Sequence, residues 1–156
     1  FHKFRSQKNI DYYPGDIFPH LYPSGTKHFD LLNPSMPHNS FDAIICNHVF
    51  QYIPDDKTAM QTVYDLIKPG GWGILQVPIN GTRQDTYEDD TITDPIEREK
   101  AFGLTEHVRY YGLDYAEKLR SFGFKVLVDN YSAAFSDEEI YRYGFWKNDP
   151  VYYVTK

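Results

Sequence analysis

A mixed α/β domain with a mostly parallel sheet is the fold class this sequence predicts, and three observations carry it. Residues 41–46 read FDAIIC, a nearly unbroken apolar run of the kind that parallel sheets bury. A helical pattern then opens at Pro54-Asp55-Asp56, sets Ala59, Val63, Leu66 and Ile67 on one face, and stops at Pro69-Gly70-Gly71. A second apolar run, WGILQVPI, spans residues 72–79. Strand, helix, sharp turn and strand make a βαβ crossover, which is right-handed in parallel sheets.

The flanking elements follow in order. Residues 1–8 read as the tail of a helix. NIDYY at 9–13 reads as a short strand stopped by Pro14-Gly15, with Asp16 just beyond it. Residues 17–27 hold Pro and Gly breakers and read as irregular. His28–Leu31 reads as a short edge strand, and 33–40 as a polar loop. After the crossover, 80–95 is polar. Between Asp85 and Glu99 seven acids face one base, Arg98, which suits a lid or a solvated loop. A short helix over 97–102 ends at Gly103, and 107–111 is extended. Residues 113–122 form a helix with Tyr115, Leu119 and Phe122 on one side, closed by Gly123. Residues 124–130 form a third strand, Ser136 opens a capping box, and the Tyr-rich 151–155 is a last strand.

Bulk properties narrow the function. The chain has 156 residues, enough for a single domain with a core, taken here as 1–156. A net charge of −6 argues against broad nucleic-acid binding, which needs clustered Lys and Arg. No apolar run approaches the ~20 residues that span a bilayer, and no signal peptide is visible at the start. A cytoplasmic location is the default expectation. The single cysteine, Cys46, cannot form an internal disulfide and lies in an apolar run, as a buried inert thiol would. His20, His28 and His38 are too widely spaced for a local metal site, and none is expected.

FDAIICNHVFQYIPDD followed by LIKPGGWGILQVPI, with HVRYYGLDYAEKLRSFGFKV downstream, resembles class I S-adenosylmethionine-dependent methyltransferases over nearly the whole chain. The resemblance implies a Rossmann-like sheet with helices on both faces and S-adenosylmethionine as cofactor. It also implies an active site at the carboxyl ends of the strands, where open α/β sheets bind ligands. It assigns Asp16 to the ribose hydroxyls, Asp30 and Leu31 to the adenine, and Asn47 and His48 to the cofactor's methionine and the substrate. Each has a plainer alternative: Asp16 as a turn aspartate, Asp30 as a loop acid, His48 as a structural histidine. Residues 80–112 would be a substrate-side insert or lid.

Methyl transfer from a sulfonium needs positioning more than an elaborate base. His48, His107 and Tyr110 are the candidates for a base, each with a packing role as the alternative. Arg109 is read either as a contact to an anionic substrate or as a surface ion pair with nearby acids. Relatives often carry Glu-His where this chain has Gln51-Tyr52, and Tyr is no base near neutral pH. The Asn-Pro-Pro-aromatic loop of nucleic-acid base methylases is absent, since Asn47-His48-Val49-Phe50 stands there. A small-molecule acceptor is therefore expected.

The family's first strand and glycine-rich loop have no counterpart in the sequence. These 156 residues alone are accordingly expected to bind S-adenosylmethionine weakly or not at all, and to pair with a second copy across an open sheet edge. The rival reading is a non-catalytic relic or partner subunit with an incomplete cofactor site. A nicotinamide-dependent oxidoreductase would need the same absent glycine fingerprint.

Overall fold

The computed structural model describes residues 2–147 and 149–156. After helix α1 (His2–Arg5), strands β1 (Gly15–Asp16) and β2 (Lys27–His28) pair in parallel, Asp16 opposite His28. The strand expected over 9–13 is not formed. Pairing begins only where Lys27 arrives to donate its amide to Pro14 O, 2.9 Å away. Asp16 therefore lies inside the strand and not beyond it.

The main sheet has the order β3-β4-β8-β7. Strands β3 (Phe41–Asn47) and β4 (Ile67–Gln76) are parallel neighbours, with Ile45 opposite Ile74 and Asn47 opposite Gln76. The crossover between them is helix α2 (Asp56–Leu66), whose cap is the Asp55 carboxylate accepting from Thr58 N at 3.0 Å. Strands β7 (Lys125–Asp129) and β8 (Val151–Thr155) complete the sheet, with β8 antiparallel to both neighbours. Helix α4 (Tyr115–Ser121) leads into β7, and α5 (Asp137–Tyr143) joins β7 to β8 behind the expected Ser136 capping box. The insert carries β5 (Tyr87–Glu88), α3 (Pro95–Phe102) and β6 (Arg109–Tyr110), with β5 and β6 antiparallel. The mixed α/β, Rossmann-like class is as the sequence predicts.

The Pro-Gly-Gly segment does not end the helix. α2 stops at Leu66, and β4 is already running at Ile67. Between the paired residues Phe41–Ile67 and Ala43–Trp72, β3 advances by two positions and β4 by five, so the segment is a bulge within the strand. Gly70 takes φ 80°, and a Cβ on Gly71 would lie 2.8 Å from Asp42 O.

Cys46, Leu75, Val77, Tyr152 and Val154 share one sheet face and pack on Ala59, Met60 and Val63 of α2 and on Tyr115, Ala116 and Leu119 of α4. Period-two alternation sends their neighbours to the other face. There Ile45 is 49% and Leu127 58% exposed, and Trp72 stacks on Tyr153 with centroids 5.8 Å apart. The expected burial of both faces is not found among the described residues, where α2 and α4 cover the same side. Between β7 and β8, Tyr131, Phe135, Tyr143 and Phe145 pack edge to edge at 5.0–6.3 Å. No helix among the described residues is long and apolar enough to cross a membrane.

Candidate functional site

Register places a row of residues along the rim where the parallel strands end. Asn47 lies opposite Gln76, and Asp129 opposite Val151 at the start of β8. The chain must turn abruptly at this rim. His48 does so with φ 55°, a left-handed conformation that non-glycine residues seldom adopt, while its amide donates to Gln76 O at 2.7 Å. Gln76 ties the β8 side down: Nε2 donates to Pro150 O at 2.9 Å, and Oε1 accepts from Tyr152 N at 3.4 Å. Burial pushes the Asp149 carboxyl above its ordinary range, with His48 pulling the other way. His48 and Asp149 are therefore within electrostatic reach of one another near the rim.

The smaller sheet brings its carboxylate to the same region. Asp16 Oδ1 accepts from Phe18 N at 2.7 Å. The Tyr22 hydroxyl lies against this carboxylate, whose charge, followed by partial burial, pushes the phenol up; Tyr52 adds in the same direction. Asp16, Tyr22 and Tyr52 thus form one neighbourhood, although they come from three segments. Asp30 Oδ1 accepts from Leu32 N at 2.8 Å, and Leu31 is half-buried against the core. Of the residues expected to meet the cofactor, Asn47 and His48 are exposed at the rim, and Asp16 stands beside Tyr22, which also senses Tyr52 in the loop that follows them.

His107 and Tyr110 are placed differently. His107 is buried in the insert, its Nδ1 3.0 Å from Phe102 O, an acceptor, so Nδ1 carries the hydrogen. Nε2 is then an acceptor, and it is buried with no partner. The Tyr52 ring stands edge-on to the imidazole at 4.9 Å. Tyr110 is half-buried in β6 opposite Tyr87. Arg109 does pair with a nearby acid, Glu88, but the pair is not a surface one, because only 3% of the arginine side chain is exposed. Its Nη1 donates to Phe50 O at 2.9 Å and to Ile53 O, Nη2 to Pro54 O at 2.7 Å, and Nε to Glu88 at 3.0 Å. Asp56, buried at the start of α2, accepts from Tyr111 OH at 2.7 Å and lies 3.4 Å from Arg109 Nε. A cleft of about 450 Å³ opens at this group and not at the rim, lined by Pro54, Asp55, Asp56, Lys57, Glu88, Asp90 and Arg109 itself.

Sequence reasoning missed Tyr22, Gln76 and Asp149. Tyr22 sits in a breaker-rich segment and Asp149 next to a proline, so neither carries a periodic signal. Gln76 was hidden inside an apolar run.

The methyltransferase domain family matches residues 4–128. The chain belongs to that family. Its class I members use S-adenosylmethionine, and the strand order and parallel crossover described above are compatible with their sheet. Solved structures agree on the fold at low identity. An S-adenosylmethionine-dependent methyltransferase from Mesorhizobium loti is 18% identical, with a TM-score of 0.53 over 86% of this chain and 70% of that one. A methyltransferase described as putative, from Haloferax volcanii in complex with the Trm112 activator, is 15% identical, with a TM-score of 0.51 over 84% of this chain and 61% of that one. The [4+2]-cyclase SpnF is 16% identical, with a TM-score of 0.51 over 83% of this chain, which spans 54% of the SpnF chain. A cyclase among the methyltransferase domain's fold neighbours means that the fold alone does not set the reaction. No curated protein matches the chain.

The residues present fit the cofactor's chemistry in kind. Carboxylates accept from ribose hydroxyls, and Asp16 and Asp30 each have only one oxygen engaged by a backbone amide. Leu31 offers an apolar surface, and Asn47 a polar tip at the rim.

Proposed function

We propose that this methyltransferase domain transfers a methyl group to a small-molecule acceptor. The nucleoside end of the cofactor would lie against Asp16, Asp30 and Leu31, and its methionine end against Asn47 and His48. The supporting observation is the turn at the β3 tip, where Asn47 and His48 stand exposed beside Gln76 at the ends of the parallel strands. S-adenosylmethionine supplies an activated methyl group. The chain's task is then to align the acceptor and take up its proton.

His48 is the best placed of the three candidate bases, being exposed at the rim within electrostatic reach of Asp149. His107 is buried, with the Tyr52 ring packed against its imidazole, and Tyr110 pairs with Tyr87 inside the insert. Residues 80–112 are read as the acceptor-side insert, and a cytoplasmic location belongs to the same reading. Calorimetric titration of the natural full-length protein with S-adenosylhomocysteine tests the proposal. Binding is expected, and Asp16→Ala and Asn47→Ala are each expected to weaken it about tenfold. Absence of binding by the wild-type protein would overturn it.

One observation favours a second reading, a methyltransferase-like partner subunit without a working cofactor site. Among the described residues, the β1–β2 pair shares no hydrogen-bonded strand with the four-stranded sheet. The same titration separates the two readings.

A further inference from the structure

We infer that Arg109 is a positioning residue for the cofactor site, locking the insert to the loop that leaves the β3 tip. The inference rests on the cofactor reading above. The chain leaves β3 at Asn47, turns at His48 and enters a short 3-10 turn over Phe50–Tyr52. Such a turn satisfies only part of its carbonyls itself: Phe50 O accepts from Ile53 N at 3.2 Å. Two consecutive residues of the insert add donors: Val108 N donates to Gln51 O at 3.0 Å, and the Arg109 guanidinium donates to Phe50 O, Ile53 O and Pro54 O. A planar fork with five N–H groups can reach three carbonyls at once, whereas an ammonium is a single point. Glu88 on β5 and Asp56 on α2 hold the far side of the same guanidinium.

The turn follows directly on Asn47 and His48, so the lock fixes the loop on which these two rim residues stand. Insert and loop should respond to cofactor as one piece, and an acceptor held by the insert would be coupled to cofactor affinity in both directions.

Hydrogen exchange of the wild-type full-length protein with S-adenosylhomocysteine tests this first. The expected result is a joint rise in protection of the Tyr52 and Ile53 amides in the turn and the Val108 amide in the insert. Protection of the turn with Val108 unchanged would overturn the inference. R109K, which keeps the charge and loses the fork, is the second arm. Its dissociation constant for S-adenosylhomocysteine should rise about tenfold or more, with protection lost at Tyr52 and Ile53 and retained at Val63 in α2. Unchanged affinity, or loss of protection throughout α2, would overturn the inference, because charge or general folding would then be the whole of the residue's role. E88Q removes only the half-exposed leg and should change affinity less than about fivefold. A wild-type protein that binds no S-adenosylhomocysteine sinks the cofactor reading itself. Binding without coupling sinks only the inference.

Discussion

At Cys46, burial pushes the thiol up to about 12. Tyr111 and Tyr115 are raised for the same reason, burial first, with the Asp56 charge adding at Tyr111. Each of these groups keeps its proton in the folded state after an exposed copy has lost it. Their contribution to stability is therefore complete below about pH 9 and falls as pH rises toward 12. Urea midpoints should be flat between pH 7 and 8.5 and drop at pH 10.5. Cys46→Ala should soften the first part of that fall, and a midpoint independent of pH would exclude the mechanism. At this scale the sequence was legible where a single property decided the outcome, as for a thiol in an apolar run. It was misleading at Arg109, because a two-residue strand carries no burial signal and a charged side chain is exposed by default.

Elements were legible where local chemistry marks their ends. Asp55 and Ser136 cap helices, and Gly103 and Gly123 close them with positive φ, all as the residue types demand. The 9–13 segment failed because strand formation depends on a partner, and the partner arrives only at Lys27. Pro-Gly-Gly failed more instructively: the same residues that stop helices also build bulges, and only the register against β3 tells the two apart. Gly71 is where this matters. Its missing side chain lets Asp42 O approach, and Asp42 in turn meets Lys68 Nζ at 2.8 Å. Gly71→Ala should destabilise the protein by about 1–3 kcal/mol, seen in a urea melt. A neutral result would show that the bulge can open without cost.

For the molecule as a whole, helices cover one side of the sheet, and among the described residues the other side keeps large apolar groups exposed. The parallel adjacency of 41–46 and 72–79 could be read in advance because apolar runs flanking an amphipathic helix allow few arrangements. The coverage of the second face could not, since it depends on what packs there and not on the strands themselves. An apolar face that includes Ile45 and Leu127 favours self-association. We expect light scattering to show a species larger than the monomer at micromolar concentration, and Ile45→Lys to shift it toward monomer. A wild-type monomer across that range would refute the expectation.

The 131–146 hairpin lies outside the residues that match the family and holds one of the two tryptophans, Trp146, at 80% exposure. The other, Trp72, is shielded on one side by Tyr153 within the sheet. Intrinsic emission therefore has two sources in unlike surroundings, and an aqueous quencher such as iodide reaches Trp146 first. The molecule carries its own pair of optical reporters, one for the hairpin and one for the sheet, with no label added.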